Sequence, residues 1–124
     1  FVDNNKKACE VIQDNIDFTK LGSQCKLMNT DCMSALRQLE GKYRFDLIFL
    51  DPPYGHDLEA EILGYLAHSP VVKEHALIII EADEHTDFSY VDALGYELLR
   101  EKIYKTNKHV FLALKEETQE TKEG

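Results

Sequence analysis

Two kinds of hydrophobic pattern alternate along the chain, one with helical spacing and one with short continuous apolar runs. Apolar residues recur at every third or fourth position in the segments 4–22, 31–39 and 56–70, a spacing that predicts amphipathic helices. Short apolar runs, "FDLIFL" at 45–50 and "ALIII" at 76–80, predict strands buried on both faces, because a half-exposed strand would alternate polar and apolar residues. Strands that alternate with helices favour a mostly parallel sheet with right-handed crossovers. The pattern therefore predicts an α/β, doubly wound fold.

Turn residues and the distribution of apolar side chains indicate where the predicted elements end. The first helix should stop at Gly22, the glycine expected after a helix C-terminus. Near the end of the chain, two apolar segments flank the turn-prone "TNK" and predict a closing antiparallel hairpin. The residues after Lys115 contain no apolar side chain. We therefore expect one domain over residues 1–115 and a disordered acidic tail over 116–124.

Composition limits the classes of function. The 124 residues, 44% of them hydrophobic, suffice for one small domain with a core. The net charge of −9 disfavours non-specific attraction to polyanions, so a nucleic-acid partner would be engaged locally. The cysteine and histidine spacings predict neither a disulfide framework nor a metal site, and they favour a reducing cytoplasm. The longest uncharged apolar run, "ALIII", is too short to cross a bilayer.

The opening "FV", which is typical of the end of a strand, and the short segment "CKLMNT" at 25–30 also predict strands, and an acid follows each predicted strand in the first half of the chain. Asp3, Asp31 and Asp51 occupy these positions. Because ligands of open parallel sheets bind at the carboxyl ends of the strands, the three acids predict a site for a nucleotide-like ligand. The alternative for each acid is a helix cap, in which the carboxylate accepts a backbone N–H bond. Glu81, at the end of another predicted strand, either rims this pocket or caps. The histidines are expected to be solvated or capping, with a base in the mechanism as the alternative for His56 alone; they are His56, His68, His75, His85 and His109.

The stretch "DPPYG" after "FDLIFL" suits chemistry on a nucleobase amine. Such an amine is a poor nucleophile because its lone pair is delocalised into the ring, so a methylating site must hold the nitrogen and draw on its protons. Asp51 offers a carboxylate, and Pro52 offers a carbonyl whose direction the consecutive prolines restrict. Tyr54 offers a ring on which a base can stack. The alternative is a rigid turn, which the flanking strand and helix disfavour.

These stretches resemble a known family. "FDLIFLDPPY" matches the motif [DNS]-P-P-[YFW] of S-adenosylmethionine-dependent amino-methyltransferases. Together with "TDCMSAL" and "REKIYKTNKHVFLAL", it makes the chain most similar to bacterial 16S ribosomal RNA guanine-N2 methyltransferases of the RsmD type, as far as about Lys115. The resemblance implies a Rossmann-like class I methyltransferase fold and S-adenosyl-L-methionine as cofactor. It also implies methyl transfer to the exocyclic N2 amine of a guanine, with ribosomal RNA or a small-subunit assembly intermediate as partner.

The resemblance also implies roles for the acids after the first two strands. Asp3 would hydrogen-bond the ribose hydroxyls of the cofactor, with Asn4 beside it. Asp31 would reach the adenine amino group, and the backbone of Cys32 would reach the adenine ring nitrogen. All four residues are therefore expected to bind the cofactor.

The DPPY motif would hold the target amine. The resemblance implies a catalytic set of four residues, which are Asp51, Pro52, Pro53 and Tyr54. It also implies that Asp51 and Pro52 lie near the methionine part of the cofactor. The target base would be flipped into this pocket, as enzymes that modify bases commonly require. No metal is expected in the reaction.

Two departures from the family pattern affect these expectations. The family carries a first strand and a glycine-rich cofactor loop before the position of Phe1, so we expect an N-terminally truncated domain with two unpaired strand edges. Such a chain should bind S-adenosylmethionine weakly, have doubtful activity and self-associate. The second departure is Lys105, which stands where related sequences commonly have glycine.

Two alternative functions fit the same residues. An N6-adenine methyltransferase acting on DNA or RNA would use DPPY on the same kind of amine. A non-catalytic assembly module could keep the fold and bind protein; the acidic charge favours it, and the intact motif disfavours it.

Overall fold

The chain divides into two compact units. The computed structural model describes residues 1–52 and 58–116, and the units are Phe1–Lys42 and Tyr43–Gly124. The first unit contains two short strands and two helices, which are β1 (Val2–Asp3), α1 (Lys6–Thr19), β2 (Met28–Asn29) and α2 (Cys32–Leu39). The second contains four strands and two helices, which are β3 (Phe45–Leu50), α3 (Leu58–Leu66), β4 (Val72–Asp83), α4 (Val91–Leu94), β5 (Tyr96–Tyr104) and β6 (Asn107–Leu114). Most of the predicted tail lies outside the described residues.

In the first unit, β1 and β2 pair in parallel. The crossover between them is α1, which begins at the N-cap Asn5; the Asn5 side chain accepts a hydrogen bond from the Ala8 N–H at 3.1 Å. This helix buries Cys9 and Ile16. The short parallel pair and its helix thus form one strand-helix-strand unit, as the alternating pattern predicts.

The first helix ends earlier than predicted. Lys20 takes the left-handed conformation at the C-cap of α1, with φ of 60°. The N–H of Leu21 donates to the Ile16 carbonyl at 3.2 Å and closes the helix end. Gly22 instead begins a short 3₁₀ helix, Gly22–Gln24. The prediction for Gly22 was wrong because the left-handed position, which glycine favours but does not monopolise, falls two residues earlier in the chain.

In the second unit the strand order is β3-β4-β6-β5. The β3–β4 pair is parallel, whereas β4–β6 and β5–β6 are antiparallel. The α/β class and the closing hairpin are confirmed. The sheet is mixed, as the predicted antiparallel hairpin at the end of a parallel sheet requires, and β1 and β2 form a separate two-stranded sheet.

One face of this four-stranded sheet is buried. Ile78, Ile80, Val110 and Leu112 are completely buried and alternate with half-buried neighbours along β4 and β6. Tyr96, also completely buried, donates from its hydroxyl to the Leu63 carbonyl at 2.6 Å and joins β5 to α3. The core of the second unit therefore lies on the face that bears these side chains.

The other face leaves β3 more exposed than predicted. Leu47 is 58% exposed and Phe49 is 54% exposed, and the two share one face because they are two residues apart. Among the described strands β3 pairs only with β4, so it lies at an edge. The prediction that this strand is buried on both faces was wrong for the described residues, because an apolar run indicates which residues can be buried and not which neighbours cover them.

The hairpin turn between β5 and β6 does not require glycine. Among the described residues other than glycine, only Lys20 and His75 have positive φ. Lys105 therefore occupies its turn in a backbone conformation that any residue adopts easily, which gives a physical account of its departure from the family pattern.

Three further features concern cysteines, membranes and metals. Cys9, Cys25 and Cys32 are free thiols. Within residues 1–52 and 58–116, the helices are too short or too polar to cross a membrane. The same residues contain no group of three or more His, Cys, Asp or Glu side chains that could hold a metal ion.

Candidate functional site

Asp3 lies at the carboxyl end of β1, next to the carboxyl end of β2. The Thr30 N–H donates to the Asp3 carbonyl at 3.1 Å and extends the pairing of the two strands. The Asp3 carboxylate is half-buried and accepts the Asn5 N–H at 2.8 Å, so its oxygen Oδ1 stabilises the turn into α1. Asn4, the other predicted ligand here, is exposed.

Asp31 is the N-cap of α2. Its Oδ1 accepts the Ser34 N–H at 2.9 Å, and its Oδ2 accepts the Ser34 hydroxyl at 2.8 Å. These bonds, the backbone one first, hold the pKa of the Asp31 carboxyl below its usual range. Cys32 is the first residue of α2 and is half-buried. The capping alternative for Asp31 is therefore realised; because each carboxylate oxygen accepts more than one hydrogen bond, it is compatible with ligand binding.

Asp51 is the first residue after β3. It is exposed, and the Pro52 that follows is half-buried. Pro53 and Tyr54, the remaining residues of the predicted catalytic set, lie outside the described residues. The first unit thus contains the acids that follow β1 and β2, and the second unit contains Asp51.

A row of polar residues crosses the second sheet at the level of Asp51. Leu50 pairs with Ile80, so Asp51 lies beside Glu81, the next residue of β4. Glu81 pairs with His109 of β6, and His109 pairs with Lys102 of β5. We call Asp51, Glu81, His109 and Lys102 the polar row. It places one polar residue on, or directly after, each of the four strands.

Hydrogen bonds connect the middle of the polar row. Glu81 Oε1 accepts the Asn107 side-chain amide at 3.1 Å and lies 3.4 Å from His109 Nε2. The side chains of Glu81 and His109 are 25% and 27% exposed, so this contact is partly shielded from water. The His109 ring also makes edge contacts with Phe49 and Tyr104, at centroid distances of 5.9 and 4.9 Å. Glu81 is thereby held in place next to Asp51.

The polar row changes the electrostatics of Asp51. Although Asp51 is exposed overall, the desolvation that its neighbours do impose raises the pKa of its carboxyl, and a hydrogen bond with Glu81 and the Glu81 charge raise it further; the nearby His109 acts in the opposite direction. Two neighbouring carboxyl groups resist carrying two negative charges. Asp51 thus retains a proton at higher pH than an isolated aspartate, and once ionised it is a hydrogen-bond acceptor.

Sequence reasoning found only part of this arrangement. Glu81 was expected either to rim the pocket or to cap. Its contacts with Asn107 and His109, next to Asp51, fit the rim position. His109 was expected to be solvated or capping, and this was wrong because it is half-buried against Glu81. Asn107 and Tyr104 were missed. The available signal was an acid directly after the apolar run "ALIII", but the pairing of β4 with β6 has no local signature.

The comparison with protein families decides where the chain belongs. Residues 1–113 match the family model described as conserved hypothetical protein 95. The chain belongs to this family. It is 27% identical over 103 residues to ribosomal RNA small subunit methyltransferase D of Haemophilus influenzae, an alignment that covers 82% of this chain and 52% of that protein. The chain thus spans about half the length of this curated relative, and the family predicted from the sequence is confirmed.

Solved structures show the fold of this conserved hypothetical protein 95 member. It matches the crystal structure of a candidate methylase from Haemophilus influenzae with a TM-score of 0.78 and 23% identity, over 94% of this chain and 71% of that one. A conserved hypothetical protein from Streptococcus pyogenes gives a TM-score of 0.78 at 29% identity, over 93% and 69% of the two chains. The chain has the Rossmann-like methyltransferase fold.

Proposed function

We propose that this chain belongs to the catalytic domain of an S-adenosylmethionine-dependent methyltransferase that methylates the N2 amine of a guanine in 16S ribosomal RNA. The observation that carries the proposal is the position of Asp51 at the carboxyl end of β3, beside Glu81 and directly before Pro52. Membership of the family and the name of the Haemophilus influenzae relative support it.

The chemistry assigned to the motif is orientation of the amine. Asp51 and the Pro52 carbonyl accept hydrogen bonds from the two amine protons and turn the nitrogen lone pair toward the methyl donor. Pro52 and Pro53 lack N–H groups, so neither offers a donor that would compete for the acceptors. Tyr54 stacks on the base in this proposal, which fixes the plane of the ring.

The cofactor proposal rests on the acids of the first unit. S-adenosylmethionine, when bound, supplies an electrophilic methyl group on a sulfonium. Asp3 and Asp31 offer carboxylate oxygens after adjacent strands, and these acceptors fit the hydroxyl and amino donors of an adenosine. Asn4 and the Cys32 backbone complete the proposed adenosine-binding set, and Asp51 with Pro52 is assigned to the methionine part.

The test is methyl transfer by the full-length protein to small ribosomal subunits and to their naked RNA. Asp51→Ala should lower the rate by orders of magnitude because it removes one of the two acceptors. Asp46→Ala is a matched control on the same strand, since the Asp46 side chain is 82% exposed and its partner Lys73 is also on the surface.

Nucleoside analysis identifies the product. N2-methylguanine supports the proposal, and N6-methyladenine would establish the adenine alternative instead. Wild-type turnover by the Asp51→Ala protein would refute the role of this acid, and the absence of product on every nucleic acid would favour an assembly module.

A further inference from the structure

Positive charge is concentrated at the β5–β6 hairpin. Residues 100–109 contain four Lys or Arg side chains and one Glu, a formal charge of +3 in a chain whose total is −9. Of these, Lys108 is buried and bonds Glu101 with its ammonium at 2.9 Å. The positive charge that faces solvent therefore comes from Arg100, Lys102 and Lys105, which are all exposed.

None of these three cations forms an ion pair within the described residues. Within the described parts of the chain, 1–52 and 58–116, no carboxylate pairs with Arg100, Lys102 or Lys105. Lys102 lies instead over the ring of Tyr104, with its ammonium 5.3 Å from the ring centroid. The hairpin thus presents unpaired cations next to an aromatic ring, the combination that binds single-stranded nucleic acid.

Ring contacts link the hairpin to the polar row that ends at Asp51. Tyr104 is 40% exposed, and its ring touches His109, which lies beside Glu81. Neighbouring strands lie about 4.8 Å apart, so Lys102 is roughly 14 Å from Asp51 along the polar row. At about 3.4 Å per stacked nucleotide, this distance spans about four nucleotides. An RNA strand whose target base sits at Asp51 can therefore reach the hairpin.

We propose that the β5–β6 hairpin is an RNA-binding surface, on which Lys102 and Lys105 contact phosphates and Tyr104 stacks on a base that flanks the target. The inference rests on the proposed function, because it takes the substrate to be RNA. It also explains how a chain of net charge −9 engages a polyanion, since contact is confined to one local patch.

The experiment measures binding of a fluorescent single-stranded RNA of twelve nucleotides to the full-length protein, without cofactor, as a function of salt. Each phosphate contact contributes a slope of about 0.7 in log affinity against log salt, or about fivefold in affinity at 0.1 M. Lys102→Ala/Lys105→Ala should therefore weaken binding about 25-fold and reduce the slope by about 1.4.

Two further variants separate stacking from charge. Tyr104→Ala should weaken RNA binding roughly fivefold or more while leaving the salt slope unchanged, and Tyr104→Phe should bind like the wild type because stacking needs only the ring. Lys73→Ala is the control, since Lys73 is a surface lysine near the amino-terminal end of β4, away from the hairpin. Thermal unfolding of each variant checks that it is folded.

Unchanged affinity and slope in the double lysine variant would overturn the proposal, as would an equal loss in Lys73→Ala or absence of RNA binding by the wild type. Equal weakening of heparin binding by Tyr104→Ala would contradict base stacking. Because these measurements need no methyl transfer, their failure is distinct from that of the proposed function, which the product assay of Asp51→Ala decides.

Discussion

The bond between Tyr96 and Leu63 gives a quantitative test of how the second unit is held together. Tyr96 is completely buried in β5, and its hydroxyl donates to the Leu63 carbonyl of α3 at 2.6 Å. That carbonyl also accepts the Ala67 N–H at 3.0 Å, so it keeps a partner when the hydroxyl is removed. Tyr96→Phe consequently removes one hydrogen bond but leaves the Leu63 carbonyl with its other hydrogen-bond partner. We expect the variant to be less stable by about 1 kcal/mol at pH 8, the usual net value of such a bond.

The same residue makes this difference depend on pH. Burial raises the pKa of the Tyr96 hydroxyl, with a smaller contribution from Tyr90. An unfolded tyrosine titrates near pH 10, so the contribution of Tyr96 is complete below about pH 10 and is lost as the pH rises toward the folded pKa. At pH 11 the wild type should have lost roughly 1 kcal/mol of its free energy of unfolding through this one group, because the unfolded hydroxyl is then mostly ionised and the folded one is not. Its advantage of about 1 kcal/mol over Tyr96→Phe should then be cancelled.

Urea unfolding of both proteins at pH 8 and pH 11 measures the difference. Comparing the two proteins at each pH cancels the titration of every other group, because they differ only at Tyr96. A difference in unfolding free energy that is the same at both pH values would refute the reasoning about burial. Equal stability of the two proteins at pH 8 would show that the hydroxyl contributes no net hydrogen bond.

Two predictions concern the acids of the candidate site. Glu81→Gln removes the charge beside Asp51 and should lower the Asp51 pKa. In a plot of kcat/KM against pH, the acidic limb should therefore move to lower pH. An acidic limb that does not move would contradict the proposed coupling between the two carboxyl groups. Asp31→Ala removes the cap of α2 and should lower the melting temperature more at pH 7 than at a pH well below the titration range of aspartate. The reason is that a depressed pKa stabilises the fold above the usual titration range of aspartate and loses that effect as the pH falls through the folded value; an equal loss at both pH values would contradict this sign.

Local features of the fold were predictable from the sequence. The helices and the closing hairpin follow from apolar spacing and turn residues over short stretches, and the acids at the carboxyl ends of β1, β2 and β3 follow from the positions where those strands stop. The end of α1 was not predictable, because Lys20 carries no sequence signal for the left-handed conformation.

Features that depend on distant partners were not predictable. The exposure of Phe49 depends on what covers β3, and the Glu81–His109 contact depends on the register between two strands that are separated by two other elements. Neither is encoded within a window of neighbouring residues. The sequence therefore located Asp51 and offered Glu81 as a pocket residue, but it did not predict that His109 lies against Glu81.

The alternation of β6 links the interior of the second unit to its polar row. Val110 and Leu112 are buried and point away from the face that bears His109. A slip of one residue would expose both and would replace His109 beside Glu81 with a neighbour in the chain. An insertion in the turn that shifted this pairing would harm the core and the site together. The stability of the core and the surroundings of Asp51 therefore depend on one and the same strand register.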